Sequence, residues 1–249
     1  MAYEYGAKEP EKLKIKDMTP KEKELLIDSE TFCMLPWMHL HAYPDGRAYP
    51  CCFAFDPYPV GDLNKQSLKE VFNGEKMKEM RLRMLNNKKS RECMKCYDQE
   101  KSGFFSLRLS SNKHFGHNVP LVHSTLPDGT ADFVMKYWDI RFSNLCNFTC
   151  RMCGPPLSSS WETENRKAGN LEPWMEKDVK TQLKKFYDQH VVKEFLHAVE
   201  NKRVKEFYWC GGEPLMWKIH WEAMKRIIEL GYQDKVLARY NSNMSRIQY

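Results

Sequence analysis

The cysteines are the residues of this chain best suited to do chemistry. Cys146-Asn-Phe-Thr-Cys150-Arg-Met-Cys153 packs three thiols into eight residues. Nine cysteines in close-spaced groups, behind an N-terminus (MAYEYGAKEPEKLKIK) without the apolar stretch of a signal peptide, read as metal ligands of a cytoplasmic protein rather than as disulfides. A structural zinc or closed iron–sulfur site takes four protein ligands, whereas three leave one metal atom with an open position for a substrate or cofactor. The spacing predicts a centre that binds something at the metal.

A second group lies upstream. Cys33 is followed by twelve residues, Gly46, four residues and Cys51, and later by Cys93-Met-Lys-Cys96. Four thiols on one compact unit suit a closed site, and ligand chemistry leaves zinc and an iron–sulfur cluster both open. Cys51 and Cys52 are adjacent; the Gly-x4-Cys spacing selects Cys51, and Cys52 points to the other side of an extended chain. Cys210 reads as a small buried strand-end residue. His39 and His41 alternate onto one face of a predicted strand, but nothing completes a metal site around them, so surface or packing roles are expected.

The elements that position these thiols follow from periodicity. Strands are predicted at 134–142, 204–209 and 236–241, separated by a helix over 179–199 and a second helix presenting Trp217, Trp221, Met224 and Ile228 on one face, with Gly231 as its C-cap. Strand–helix alternation argues for βαβ units, right-handed crossovers and a mainly parallel sheet, an α/β fold. The three-cysteine loop directly follows the first strand, at the carboxyl end where α/β sheets bind ligands. Upstream, Pro44-Asp45-Gly46 marks a hairpin turn, Thr19/Pro20/Glu22 and Ser67/Glu70 are helix-start signatures, and Met77, Met80 and Met84 form a core stripe. The resulting division is a polar extension over 1–30, a small α+β cluster-binding domain over 31–110, a linker over 111–132 rich in Ser, Asn, His, Gly and Pro, and an α/β core over 133–249.

The CxxxCxxC loop after a strand resembles the signature of the radical S-adenosylmethionine (SAM) superfamily. Trp209-Cys210-Gly211-Gly212-Glu213-Pro214, at the end of the second strand, is similar to that family's GGEP motif, and Tyr240-Asn241-Ser242-Asn243 to its TNG stretch, with Met244 in place of the usual glycine. The resemblance implies a partial (β/α) barrel in which Cys146, Cys150 and Cys153 hold a [4Fe-4S] cluster and SAM chelates the fourth iron. Gly211, Gly212, Glu213 and Pro214 would hold the SAM amino group, Ser242 and Asn243 would lie near SAM, and Met152 would pack beside the adenine. The implied activity is reductive cleavage of SAM to a 5'-deoxyadenosyl radical that abstracts hydrogen from a substrate, often a peptide or protein in related enzymes, with an electron donor as partner. The motifs single out no catalytic acid or base.

The C-x12-G-x4-C stretch with the later CxxC resembles the twitch and SPASM auxiliary-cluster domains of such enzymes. This implies an auxiliary [4Fe-4S] cluster on Cys33, Cys51, Cys93 and Cys96, with the one-cluster twitch arrangement expected because no cysteine lies between Cys96 and the loop. In the family this unit normally follows the barrel; here it precedes it. The chain stops at Tyr249 after the third strand, where the family barrel has about twice as many, so a fragment, a split gene or a partner chain completing the barrel is expected. Competing readings are a non-enzymatic zinc or iron–sulfur module, an inactive truncated relative, and an electron-transfer protein indifferent to SAM.

Composition narrows the classes further. With 42% hydrophobic residues the chain can bury a core, and no apolar run approaches the roughly 20 residues of a membrane span. The net charge of +6 is spread through alternating Lys and Asp/Glu rather than forming a basic block with interleaved aromatics, which argues against nucleic acid as partner.

Overall fold

Alternating sequence in short runs such as His39-Leu-His-Ala42, Tyr137-Trp-Asp-Ile140 and Glu206-Phe-Tyr-Trp209 builds a sheet with one polar and one apolar face. The computed structural model describes residues 15–54 and 57–246. Among these, six strands form one sheet: β1 His39–Ala42, β2 Arg47–Tyr49, β3 Gly61–Asp62, β4 Tyr137–Ile140, β5 Glu206–Trp209 and β6 Leu237–Tyr240. Their order is β3-β2-β1-β4-β5-β6. The hairpin strands β1, β2 and β3 pair antiparallel, whereas β1–β4, β4–β5 and β5–β6 are parallel. The fold is mixed α/β. Helices are α1 Pro20–Lys23, α2 Leu68–Phe72, α3 Glu75–Leu85, α4 Met94–Lys101, α5 Leu107–Phe115, α6 Pro120–His123, α7 Ser159–Lys167, α8 Lys177–Gln189, α9 Val191–Glu200 and α10 Lys218–Glu229.

The apolar face of the parallel strands packs under α9 and α10. Phe195 of α9 meets Trp138, Phe207 and Trp209 edge-on, and Ala223 and Ile227 of α10 are buried beside them. The opposite face carries His39, His41, Tyr137, Asp139 and Tyr208, an unusual concentration of polar groups for strands so buried.

The capping boxes at Thr19/Glu22 and Ser67/Glu70 form, and Met77, Met80 and Met84 are fully buried. Several expectations change. The sheet runs through the expected domain boundary: β1 of the cysteine-bearing hairpin pairs in register with β4, His41 opposite Asp139. The stretch read as a linker over 111–132 carries the end of α5 and all of α6. Its polar residues serve buried bonding: Asn112 accepts from the Met34 N–H at 2.9 Å and donates to the Phe32 carbonyl at 3.0 Å. Leu25 and Leu26, within the expected surface extension, are packed into the core, while residues 1–14 lie outside the described part.

The helix expected over 179–199 is two, broken at His190, and α10 buries His220, Ala223 and Ile227 rather than the expected stripe. Trp217 is buried just ahead of α10, but Ile228 is exposed, because the buried face is turned by one residue. Arg81 of α3 is fully buried with no carboxylate among its bonds. It donates to the carbonyls of Pro36, Phe72 and Gly129 and to the Asn73 side chain, and so ties α3 to the turn that leads into β1.

Candidate metal centres

The upstream thiols converge from four places. Cys33 precedes the 3-10 turn Leu35–Trp37, Cys51 follows β2, Cys93 ends the turn Arg91–Cys93, and Cys96 lies in the first turn of α4. Burial pushes the Cys33 thiol up to about 12, with Cys96 nearby adding to the effect. Burial also raises Cys51, which feels Cys52, Cys93 and Cys33, and raises Cys93, which feels Cys33 and Cys96. Backbone polar groups adjoin the sulfurs. The backbone of Leu35 beside Cys33, that of Phe53 beside Cys51, and that of Arg108 beside Cys96 each work against the burial of the sulfur they adjoin. The Arg108 guanidinium, paired with Glu100, stands close by.

A buried nest of neighbouring thiols with a cation close by is poor ground for bare thiolates and good ground for thiolates neutralised by a metal centre. Donors to sulfur are also what tunes an iron–sulfur cluster. The residues fit such a group. They are neighbours rather than a closed cage: among the described residues, no three His, Cys, Asp or Glu side chains are set to hold a metal ion. Cys51 groups with Cys33 and Cys93. Cys52 is raised to about 11 by burial and by Asp139, with Arg141 opposing.

The three-cysteine loop hangs from the carboxyl end of β4 and is gripped by the start of α7. Ser159 Oγ accepts from the Cys146 N–H at 3.1 Å; the Ser159 and Ser160 hydroxyls both donate to the Cys146 carbonyl; Trp161 Nε1 donates to the Cys150 carbonyl at 2.8 Å. The Phe148 N–H donates to Cys146 Sγ at 3.5 Å. Burial raises the Cys153 thiol, with Cys150 and Cys146 adding to it, so the three sulfurs are mutual neighbours. The Ser158-Ser159-Ser160-Trp161 clamp was missed from sequence, although Ser158 is an ordinary helix N-cap that accepts from the Trp161 N–H.

The other expected residues meet this loop from β5 and β6. Gly211 and Gly212 take φ of +84° and +62°. The glycine at 212 is required by protein rather than by ligand: a Cβ there would lie 2.7 Å from the Leu145 carbonyl oxygen and 2.9 Å from that of Ser143. Pro214 is buried and starts the turn Pro214–Met216. Glu213 is fully buried and does not offer its carboxylate to open space. It accepts from the Leu215 N–H at 2.9 Å, the Ser242 hydroxyl at 2.8 Å and the Asn243 N–H at 2.6 Å. Asn243 in turn donates to Asn147 at 3.1 Å and to Cys146 Sγ at 3.8 Å. Met244, standing where the resembled motif has glycine, adopts φ +56°, a conformation that favours glycine. Met152 is 92% exposed.

Between the two cysteine groups the polar face of the sheet forms a third cluster that the sequence reading missed. His41 is buried, and its Nδ1 pairs with Asp139 Oδ2 at 2.8 Å; Asp139 Oδ1 accepts from the Cys210 thiol at 3.3 Å. Burial alone would raise the Asp139 carboxyl, but His41, by charge and hydrogen bond, and then Arg141 hold it down at about 2. Neither histidine is a surface residue: His39 stacks on Tyr137, and its Nδ1–H donates to the Tyr137 carbonyl at 3.1 Å.

Residues 33–97 match the model of the SPASM iron–sulfur cluster-binding domain. That segment is therefore similar to an iron–sulfur domain. The match opens at Cys33 and closes just after Cys96, so it takes in all four converging thiols. No curated protein and no solved structure matches the chain. Among the described residues, no helix is long and apolar enough to cross a membrane.

Proposed function

We propose that the chain is a radical SAM enzyme, with Cys146, Cys150 and Cys153 as ligands of a SAM-binding [4Fe-4S] cluster and Cys33, Cys51, Cys93 and Cys96 as ligands of an auxiliary one. The observation that carries this reading is the meeting of three strand ends on one loop. Glu213, after β5, fixes Ser242 and Asn243, after β6, and Asn243 reaches the Cys146 sulfur after β4. When bound, the cluster and SAM supply reductive carbon–sulfur cleavage and a radical that takes hydrogen from a substrate.

The chain's own residues perform the rest. The Phe148 N–H and the Asn243 amide donate to Cys146 Sγ, the kind of contact that tunes a cluster through its sulfurs. Gly211 and Gly212 let the end of β5 close on Arg141 and on the backbone of residues 143–145, which seats the loop. Leu145, Phe148 and Met152 give the loop an exposed apolar rim, which excludes water once a cofactor and substrate cover it. The substrate class of this reading is a peptide or protein, by likeness to enzymes that carry SPASM domains.

The test is anaerobic reconstitution with iron and sulfide, reduction with dithionite, and measurement of 5'-deoxyadenosine after addition of SAM. Wild-type protein yields it and Cys150→Ala does not. Protein that takes up iron at both groups but releases no 5'-deoxyadenosine would overturn the enzymatic reading, and zinc without iron uptake would overturn the cluster assignment as well.

A further inference from the structure

A small cavity beside the upstream cysteines has no part in the function proposed above. It measures about 150 Å³; Cys51, Cys52, His39 and Ser111 stand on its wall, and Leu35, Leu107 and Phe115 give it an apolar lining. His39 is 1% exposed and Ser111 4%. Among the described residues His39 Nε2 and Ser111 Oγ make no hydrogen bond, yet neither atom is sealed from solvent as His41 Nε2 is. Side chains buried to that degree are ordinarily paired. Here two of them keep an unused bonding position on the wall of one cavity.

The character of each position follows from its surroundings. The Tyr137 carbonyl, 3.1 Å from His39 Nδ1, can only accept, so Nδ1 carries a proton. Burial lowers this imidazole from 6.5 to about 4, so at neutral pH the other nitrogen, Nε2, is bare and accepts. The Ser111 hydroxyl can donate. The charged groups on the wall are already paired, Glu206 with His114 at 2.8 Å and with Arg239 at 3.0 Å. Among the described residues the cavity therefore offers no unpaired charge, which disfavours an ionic ligand. Its size and apolar lining suit a single six-membered ring, since an apolar cavity of about 150 Å³ holds benzene. One hydroxyl on such a ring serves both groups, donating to the imidazole and accepting from the serine; a ring N–H would serve the imidazole alone.

We propose that this cavity binds a phenol ring whose hydroxyl donates to His39 Nε2 and accepts from Ser111 Oγ. Two sources carry that chemistry, a tyrosine side chain of a peptide and a free small phenol. Binding here needs neither SAM nor its cleavage, so the site stands or falls apart from the function proposed above.

Isothermal titration of the reconstituted protein with phenol, fluorobenzene and N-acetyl-tyrosine amide tests the site. Fluorobenzene has nearly the shape of phenol but no donor and leaves His39 Nε2 buried and unpaired, so phenol should bind about ten-fold more tightly. N-acetyl-tyrosine amide binding at least as tightly as phenol identifies a peptide side chain as the ligand, and weaker binding identifies a free phenol. Ser111→Ala removes a hydroxyl that has no protein partner; it should weaken phenol about five-fold and leave fluorobenzene binding and thermal stability unchanged. His39→Leu should bind the two ring probes alike, and Ser111→Leu, whose side chain fills the cavity, should bind neither. Equal binding of phenol and fluorobenzene by the wild type, or no binding of phenol, overturns the site. So does a preference for phenol that survives undiminished in Ser111→Ala and in His39→Leu, or in Ser111→Ala alone should His39→Leu not fold. Phenol bound unchanged by folded Ser111→Leu also overturns it, by placing the ring elsewhere.

Discussion

Gly212→Ala and Gly231→Ala form a matched pair that tests whether the fold is gauged around the cysteine loop. Both glycines adopt nearly the same left-handed backbone, φ +62° and +65°. An alanine in that conformation costs roughly 1–2 kcal/mol wherever it sits. At Gly231 that is the whole effect, since an added methyl meets nothing within 4 Å. At Gly212 the methyl would stand 2.7 Å from the Leu145 carbonyl oxygen, 2.9 Å from that of Ser143 and 3.1 Å from the Asn144 carbonyl carbon. All three are backbone atoms and cannot rotate away, so the segment must retreat by about half an ångström. Overpacking of that kind typically adds about 1–3 kcal/mol. The displaced residues lead directly into Cys146, whose backbone is held by Ser159 and Ser160. Urea denaturation should show Gly231→Ala destabilised by about 1 kcal/mol and Gly212→Ala by about 3 kcal/mol. After reconstitution, Gly231→Ala should retain wild-type iron, and Gly212→Ala should lose iron from the loop while keeping that of the upstream group. Equal destabilisation and equal iron content would refute the argument that the backbone contact between residues 143–145 and 212 positions the loop.

Two further outcomes follow from the same geometry. Cys51→Ser should lower bound iron by the content of the upstream centre, whereas Cys52→Ser, whose sulfur faces Asp139 and Arg141, should not; iron and sulfide assays separate them. Stability should fall on mild acidification, because burial depresses His39 and His220 from 6.5 to about 4: their stabilisation is complete above pH 6.5, where both states are neutral, and is lost as the unfolded chain takes up protons, by about 2 kcal/mol per histidine at pH 5, so urea midpoints unchanged between pH 7 and pH 5 would contradict it.

What was legible in the sequence was whatever a short period or a fixed spacing encodes. The strands expected over 134–142, 204–209 and 236–241, observed over the shorter spans 137–140, 206–209 and 237–240, the two capping boxes and the methionine stripe are local signals, and local signals need no knowledge of neighbours. The long-range pairings were not legible. His41 and Asp139 are 98 residues apart, and nothing in either segment announces the other. The polar composition of 111–132 is that of a linker, yet Ser111, Asn112 and Asn118 are buried, and Asn112, with Arg108 just ahead of that stretch, satisfies backbone groups of the first strand's approach. Composition alone cannot separate a polar residue facing water from one facing an unpaired carbonyl. The α10 face was misread for a related reason: His220 is buried among Trp209, Trp221 and Tyr240, an aromatic setting supplied by other elements.

The strand register also sets how the two cysteine groups stand to each other. Cys33 precedes β1, and Cys51 follows β2, which runs antiparallel to β1 with Tyr49 opposite His41. The upstream group therefore lies toward the amino end of the β1–β4 pair, and the CxxxCxxC loop leaves from the carboxyl end of β4. Four strand residues at about 3.3 Å each separate those ends by roughly 13 Å. Side chains alternate, so one face of that span is given to Trp138 and Ile140 under the helices, and the other to Tyr137, Asp139 and their β1 neighbours His39 and His41. A chain needing only a core would fill both faces with apolar residues, as buried parallel strands ordinarily do. Keeping a charged carboxylate, a paired imidazole and an unpartnered guanidinium on the face that spans the two thiol groups is destabilising in itself.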